Sequence, residues 1–74
     1  MTKTEACHKL ADINEALHDS KQQLERAKLN RLMENNPDRI EWYNNAIENL
    51  EQECARYEAE AQAFMAEHSD VLYG

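Results

Sequence analysis

Apolar and small side chains recur along the second half of the chain in alternating steps of three and four: Ile40, Tyr43, Ile47, Leu50, Cys54, Tyr57, Ala61, Phe64, His68 and Val71. The mean step is about 3.5 residues, the repeat of a coiled-coil seam. The first half carries a matching ladder of Ala6, Leu10, Ile13, Leu17, Ser20, Leu24 and Ala27. Asn35-Asn36-Pro37-Asp38 separates the two. Asn tolerates the left-handed backbone that ends many helices, Asn36 can cap the next one, and Pro37 suits its first position. Thr2 and Glu5 have capping-box spacing at the start. The pattern predicts helix 1 over about residues 3–34, a turn at 35–37, helix 2 over about 38–68, and an irregular tail or frayed last turn at 69–74.

So short a connection forces the helices antiparallel. With the turn centred between residues 35 and 36, Ala27 lies level with Tyr43, Leu24 with Ile47, Ser20 with Leu50, Leu17 with Cys54, Ile13 with Tyr57, Leu10 with Ala61 and Ala6 with Phe64. Several layers pair a small side chain with a large one, which lets two helices approach without voids. On the same register Lys21 is expected near Glu51 and Lys9 near Glu60. The fold class predicted is therefore all-α, an antiparallel two-helix hairpin forming one domain over residues 1–74.

Two helices cannot enclose a core, and a chain of 74 residues buries a modest fraction of its surface. Apolar groups also lie off the ladders near the turn: Leu29, Leu32, Met33, Trp42 and Ala46. Both features predict self-association, a dimer forming a four-helix bundle, or docking of another protein on the turn-end patch of Trp42, Leu29 and Met33. The general shape is similar to that of plasmid copy-control hairpins, which dimerise into four-helix bundles. That likeness is architectural and carries no functional residue across, because those proteins bind RNA through basic faces.

Charge is distributed unevenly. Residues 1–34 hold six basic and six acidic side chains, whereas residues 35–74 hold two basic against nine acidic and so carry the whole net charge of −7. Direct binding of nucleic acid needs a basic face, and helix 2 is the opposite. No run approaches the ~18 apolar residues of a membrane span. Residues 1–5 lack an apolar signal core, and two unpaired thiols suit a reducing cytoplasm, the localisation expected.

Candidate chemistry is sparse. Glu15 and His18 have the Glu-x-x-His spacing of di-iron carboxylate bundles, but such sites need further carboxylates in the same core. Leu17 holds the seam position, so Glu15 and His18 point away from it. A metal-binding bundle is the remote alternative, and a solvated face the ordinary one. Cys7, His8 and Cys54 lack the spacing of a zinc set; Cys54 reads as a small core residue and His68 as an amphipathic end-cap. No nucleophile–base pair or phosphate loop is visible, so neither enzyme activity nor a cofactor is expected.

The function expected is that of a small acidic protein-interaction module. Short acidic helical proteins without catalytic apparatus are typical of phage and mobile-element accessory proteins that bind and inhibit a host nuclease or defence complex. The expected partner is then a host protein with a basic, nucleic-acid-binding surface, met by Glu48, Glu51, Glu53, Glu58, Glu60 and Glu67. Nucleic-acid mimicry is the sharper form of this idea. Seven Glu lie between positions 41 and 67, one per roughly 6 Å of helix against one charge per ~1.7 Å of B-DNA, so the likeness is thin. The alternative is a structural or assembly subunit, a scaffold dimer without inhibitory activity.

Overall fold

The computed structural model of the chain describes all 74 residues. Two 31-residue helices, α1 (Lys3–Met33) and α2 (Pro37–Glu67), fold back on each other as a hairpin, and a short α3 (Ser69–Tyr73) follows. Residues 69–73, expected as an irregular tail or a frayed turn, are thus helical. The α3 segment contacts both long helices at the open end of the hairpin. It lengthens the rod, whose Cα extents are 53 × 15 × 13 Å.

Both helices start at side-chain caps. The Thr2 hydroxyl oxygen accepts from the Glu5 backbone N–H at 3.2 Å. The other half of a capping box differs, because the same hydroxyl donates to Glu5 Oε1 at 3.1 Å. At α2, Asn36 Oδ1 accepts from the Asp38 N–H at 3.0 Å, with Pro37 in the first turn. Pro has no N–H to leave unpaired there, and Asp38 adds negative charge at the positive end of the helix dipole.

The end of α1 departs from expectation. No residue has positive φ, so no Asn adopts the left-handed conformation. Glu34 closes the helix in extended geometry, φ −89° and ψ 136°, its N–H donating to the Arg31 carbonyl. Its carboxylate then folds over the turn. Oε1 accepts from the N–H groups of Asn35 and Asn36 at 3.2 and 3.1 Å, and Oε2 lies 3.7 Å from the Arg39 guanidinium. One ionised side chain therefore satisfies two loop donors that a left-handed cap would have handled through the backbone.

Every ladder position is buried or half-buried. The buried residues are Ala6, Ser20, Ile47, Cys54 and Ala61, and all but Ile47 are small. Heptad position explains the division. On the line of closest approach the helices enclose small side chains and Ile47, while Leu10, Leu17, Leu24, Tyr43, Leu50, Tyr57 and Phe64 straddle its edges and stay half-buried.

Two polar contacts cross the seam, Lys21 Nζ to Glu58 Oε1 at 3.4 Å and Arg31 to Asn44 Oδ1 at 3.0 Å. The expected Lys21–Glu51 and Lys9–Glu60 pairs do not form; the only ion pairs are Lys21–Glu58 and Arg39–Glu34. The reason is the lean of helical side chains toward their own N-terminus. In an antiparallel hairpin, Lys21 leans away from the turn and acidic side chains of α2 lean toward it. The partner is therefore displaced from Glu51 by two turns, to Glu58.

Ile47 is the one large side chain that is nearly sealed, at 5% exposure. Ile47→Ala should cost about 2–4 kcal/mol, and Leu50→Ala, half-buried, about 1–2 kcal/mol, in the unassociated chain. Urea denaturation followed by circular dichroism at low protein concentration reads both; equal losses would refute the division between sealed and straddling positions. Glu34→Ala should cost about 1 kcal/mol by unpairing the two turn amides.

Candidate interaction surfaces

The hairpin has two flanks beside its seam, distinguished by heptad position. One carries Lys21 and Lys28 from α1 and Glu51 and Glu58 from α2, with Glu41 and Glu48 further out. The other carries Ala16 from α1 and Arg39, Ala46, Glu53, Glu60 and Glu67 from α2, with Arg26, Met33 and Trp42 further out. Between the flanks, the outward face of α2 presents Ala55, Ala59, Ala63 and Ala66, all exposed.

The glutamates of α2 thus do not form one acidic face. They divide into two rows on opposite sides of a helix about 10–12 Å across. Glu48, Glu51, Glu58, Glu60 and Glu67 are exposed and Glu53 is half-buried. Of these six only Glu58 takes an ion pair within the chain, with Lys21, and that pair is about half exposed on both sides. The sequence pattern contained this division, since Glu residues seven apart share a flank and those two apart do not, but a count of charges per helix hides it.

Exposed apolar side chains gather near the turn: Leu29, Leu32, Met33 and Trp42, with Trp42 65% and Met33 72% exposed. The Trp42 ring meets Tyr43 edge-on at 5.1 Å between centroids and is otherwise open. Trp42 and Met33 belong to the flank of Ala46. Leu32 sits beyond the opposite flank and Leu29 points straight outward, so the turn-end residues wrap round the rod rather than forming one flat patch.

The remaining candidates are placed as follows. Glu15 and His18 are exposed on the outside of α1, and His18 Nε2 lies 3.1 Å from Gln22 Nε2. No group of three or more His, Cys, Asp or Glu side chains comes together as a metal site would need. Cys7 is exposed and Cys54 buried, and both are free thiols. His68 ends α2, its ring stacked on Phe64 at 4.3 Å and its Nδ1 3.1 Å from the Phe64 carbonyl oxygen. The two surface hollows are each lined by four residues of a single helix, Asn49, Gln52, Glu53 and Arg56 on α2 and Gln22, Glu25, Arg26 and Leu29 on α1. No helix is long and apolar enough to cross a membrane.

The exposed area is itself informative. The chain presents 5573 Å² to solvent, whereas a compact monomer of 8.7 kDa presents about 4,700 Å². The excess of about 800–900 Å² is what one partner contributes to a standard protein–protein interface.

No protein-family model, curated protein or solved structure matches the chain.

Trp42 is the only tryptophan, so its fluorescence reports directly on the turn end. Acrylamide should quench it strongly in dilute solution and less as concentration rises through the range of self-association. Quenching that stays constant up to high micromolar protein would show that nothing covers this part of the rod.

Proposed function

We propose that this protein is a small acidic interaction module: a homodimeric helical rod that binds a basic surface of another protein through α2. The observation that carries the reading is the row Glu41, Glu48, Glu51 and Glu58. These four carboxylates span ~26 Å of helix, and no cation of α2 shares their flank. Across the seam only Lys21 engages one of them, at 3.4 Å. Carboxylates that the fold leaves unpaired are available to a partner without loss of the hairpin, and such charges chiefly set association rate and partner choice.

The partner implied is a protein with regularly spaced Lys or Arg, as on surfaces that bind nucleic-acid phosphates. Inhibition of a nuclease or defence complex is the activity that such occlusion would produce. The row does not copy phosphate density. Its mean spacing is about 8 Å, against 3.4 Å per strand of B-DNA. Recognition by a few spaced carboxylates therefore fits better than mimicry of a continuous duplex. Self-association is supported by the half-buried ladders and by the excess exposed area.

Two measurements test this. Sedimentation at micromolar concentration should give twice the 8.7 kDa chain mass. For the partner, once isolated by affinity capture, the double reversal Glu48→Lys with Glu51→Lys should weaken binding at least ten-fold while helicity is unchanged, and wild-type binding should fall as salt rises, because exposed pairs are screened over ~8 Å at physiological ionic strength. A partner that binds the reversed protein equally well removes the acidic row from the interface and favours a scaffold role.

A further inference from the structure

We propose that the flank carrying Ala46 is the surface on which a second copy of this chain docks, antiparallel, with the turn end of one hairpin against the open end of the other. This rests on the reading that the protein self-associates, and it names the face, the occupant and the orientation.

The two flanks differ in how the chain itself treats them. Both polar contacts that cross the seam, Lys21–Glu58 and Arg31–Asn44, lie on the opposite flank and close it with charged and amide groups. No polar contact crosses on the Ala46 side. There the off-ladder residues nearest the seam include Ala16 and Ala46, both half-buried by the hairpin alone. Small residues at these positions let another helix approach closely. Heptad position turns Tyr43, Leu50, Tyr57 and Phe64 toward this side and Leu10, Leu17 and Leu24 toward the other, all half-buried, so the aromatic ladder residues belong to this side. Aromatic edges beside small residues, with Trp42 and Met33 further out, have the composition of an interface core. Arg56 lies over the Tyr57 ring at 5.2 Å and is the one cation covering this aromatic row.

Charge then fixes the orientation. Near the turn the charged residues of this flank are Arg26 and Arg39; the Glu34 carboxylate lies 3.7 Å from Arg39, and Arg26 has no ion-pair partner in the chain. In the other half, Glu5, Asp12, Asp19, Glu53, Glu60 and Glu67 stand against Lys9 and Arg56. Parallel pairing would set like charge against like charge at both ends. A two-fold axis across the middle of the rod instead lays α1 on α1 and α2 on α2 in opposite directions. Arg39 of each copy then meets Glu67 of the other and Arg26 meets Asp12, while Asp19 and Glu53 each face their own counterpart at the axis. The opposite flank has no such polarity, since Lys21 and Lys28 mix with Glu25, Glu41 and Glu48 toward its turn, and Glu51 and Glu58 further along are acidic. The same arrangement leaves the row of Glu41, Glu48, Glu51 and Glu58 facing outward on both copies.

Sedimentation equilibrium with circular dichroism on the full chain tests the proposal. Ala46→Glu should weaken dimerisation at least ten-fold with helicity retained, while Asn14→Glu, an exposed residue on the opposite flank, should leave it unchanged. Should Ala46→Glu lose helicity, Trp42→Glu reads the same face from a position 65% exposed in the hairpin. Arg39→Glu and Glu67→Arg should each weaken the dimer, and the double reversal should restore it. Arg39→Glu also breaks its own contact with Glu34, so Arg26→Glu with Asp12→Arg, both exposed and free of ion pairs within the chain, tests the orientation with the turn left intact. A dimer weakened by Asn14→Glu but not by Ala46→Glu or Trp42→Glu overturns the face. Two weakening reversals without rescue overturn the orientation. A monomeric wild type overturns both this inference and the self-association beneath it.

Discussion

Two packed helices share a single line of contact, and only side chains on that line leave water completely. That constraint shapes the whole hairpin. It explains why four of the five buried residues are Ala, Ser or Cys, and why no large side chain falls below 2% exposure. Burial of small residues draws the helices together but returns little free energy, since hydrophobic stabilisation scales with the apolar area removed from water. Most of the apolar area belongs to the Leu, Tyr and Phe side chains along the edges, and the hairpin covers them only in part. The fold sets the geometry and leaves these edges half-buried.

Polar groups compensate where apolar burial is thin. Caps at Thr2 and Asn36 fix where each helix begins, and the Glu34 carboxylate holds the turn by serving two backbone donors and Arg39 together. No buried side-chain nitrogen or oxygen lacks a partner. The cross-helix ion pair, Lys21–Glu58, is about half exposed on both sides and worth only ~0.2–1 kcal/mol. Its use is directional: the pair opposes slippage of one helix along the other, which a seam of similar small residues would resist weakly.

The helices and the seam were legible in the sequence because a seam repeat survives any local detail, and Pro37 with Asn36 marks the start of α2 independently. The turn was only half legible. Asn35 and Asn36 suggest a left-handed cap, yet Glu34 can satisfy the same amides with a charge, and the stronger acceptor prevails. The partner of Lys21 lies two turns from the expected Glu51, and Lys9 takes no partner, because facing levels place Cα atoms whereas the interacting atoms sit at the ends of leaning side chains. The sequence pattern marks residues 69–74 as an irregular tail or a frayed last turn; contact of α3 with both long helices supports helix that so short a segment would not hold alone. The acidic surface was visible as a total and hidden as a pattern, since only the heptad position of each Glu reveals two rows.

Dividing the carboxylates would resolve a conflict inherent in the proposed self-association of an acidic rod. Charge of −7 on an 8.7 kDa chain opposes self-association unless some of it is paired across the interface. In the proposed antiparallel docking the Ala46 flank would provide that pairing, since Arg26 and Arg39 lie toward one end and most of its carboxylates toward the other. The Lys21 flank does not segregate its charge, and the same reasoning makes it a poor face for a second copy and a suitable one for a basic surface. A change that abolishes docking of the partner without altering the dimer, or the reverse, is therefore the signature expected of this architecture, because the two groups of charges sit on different sides of one helix and respond to different substitutions.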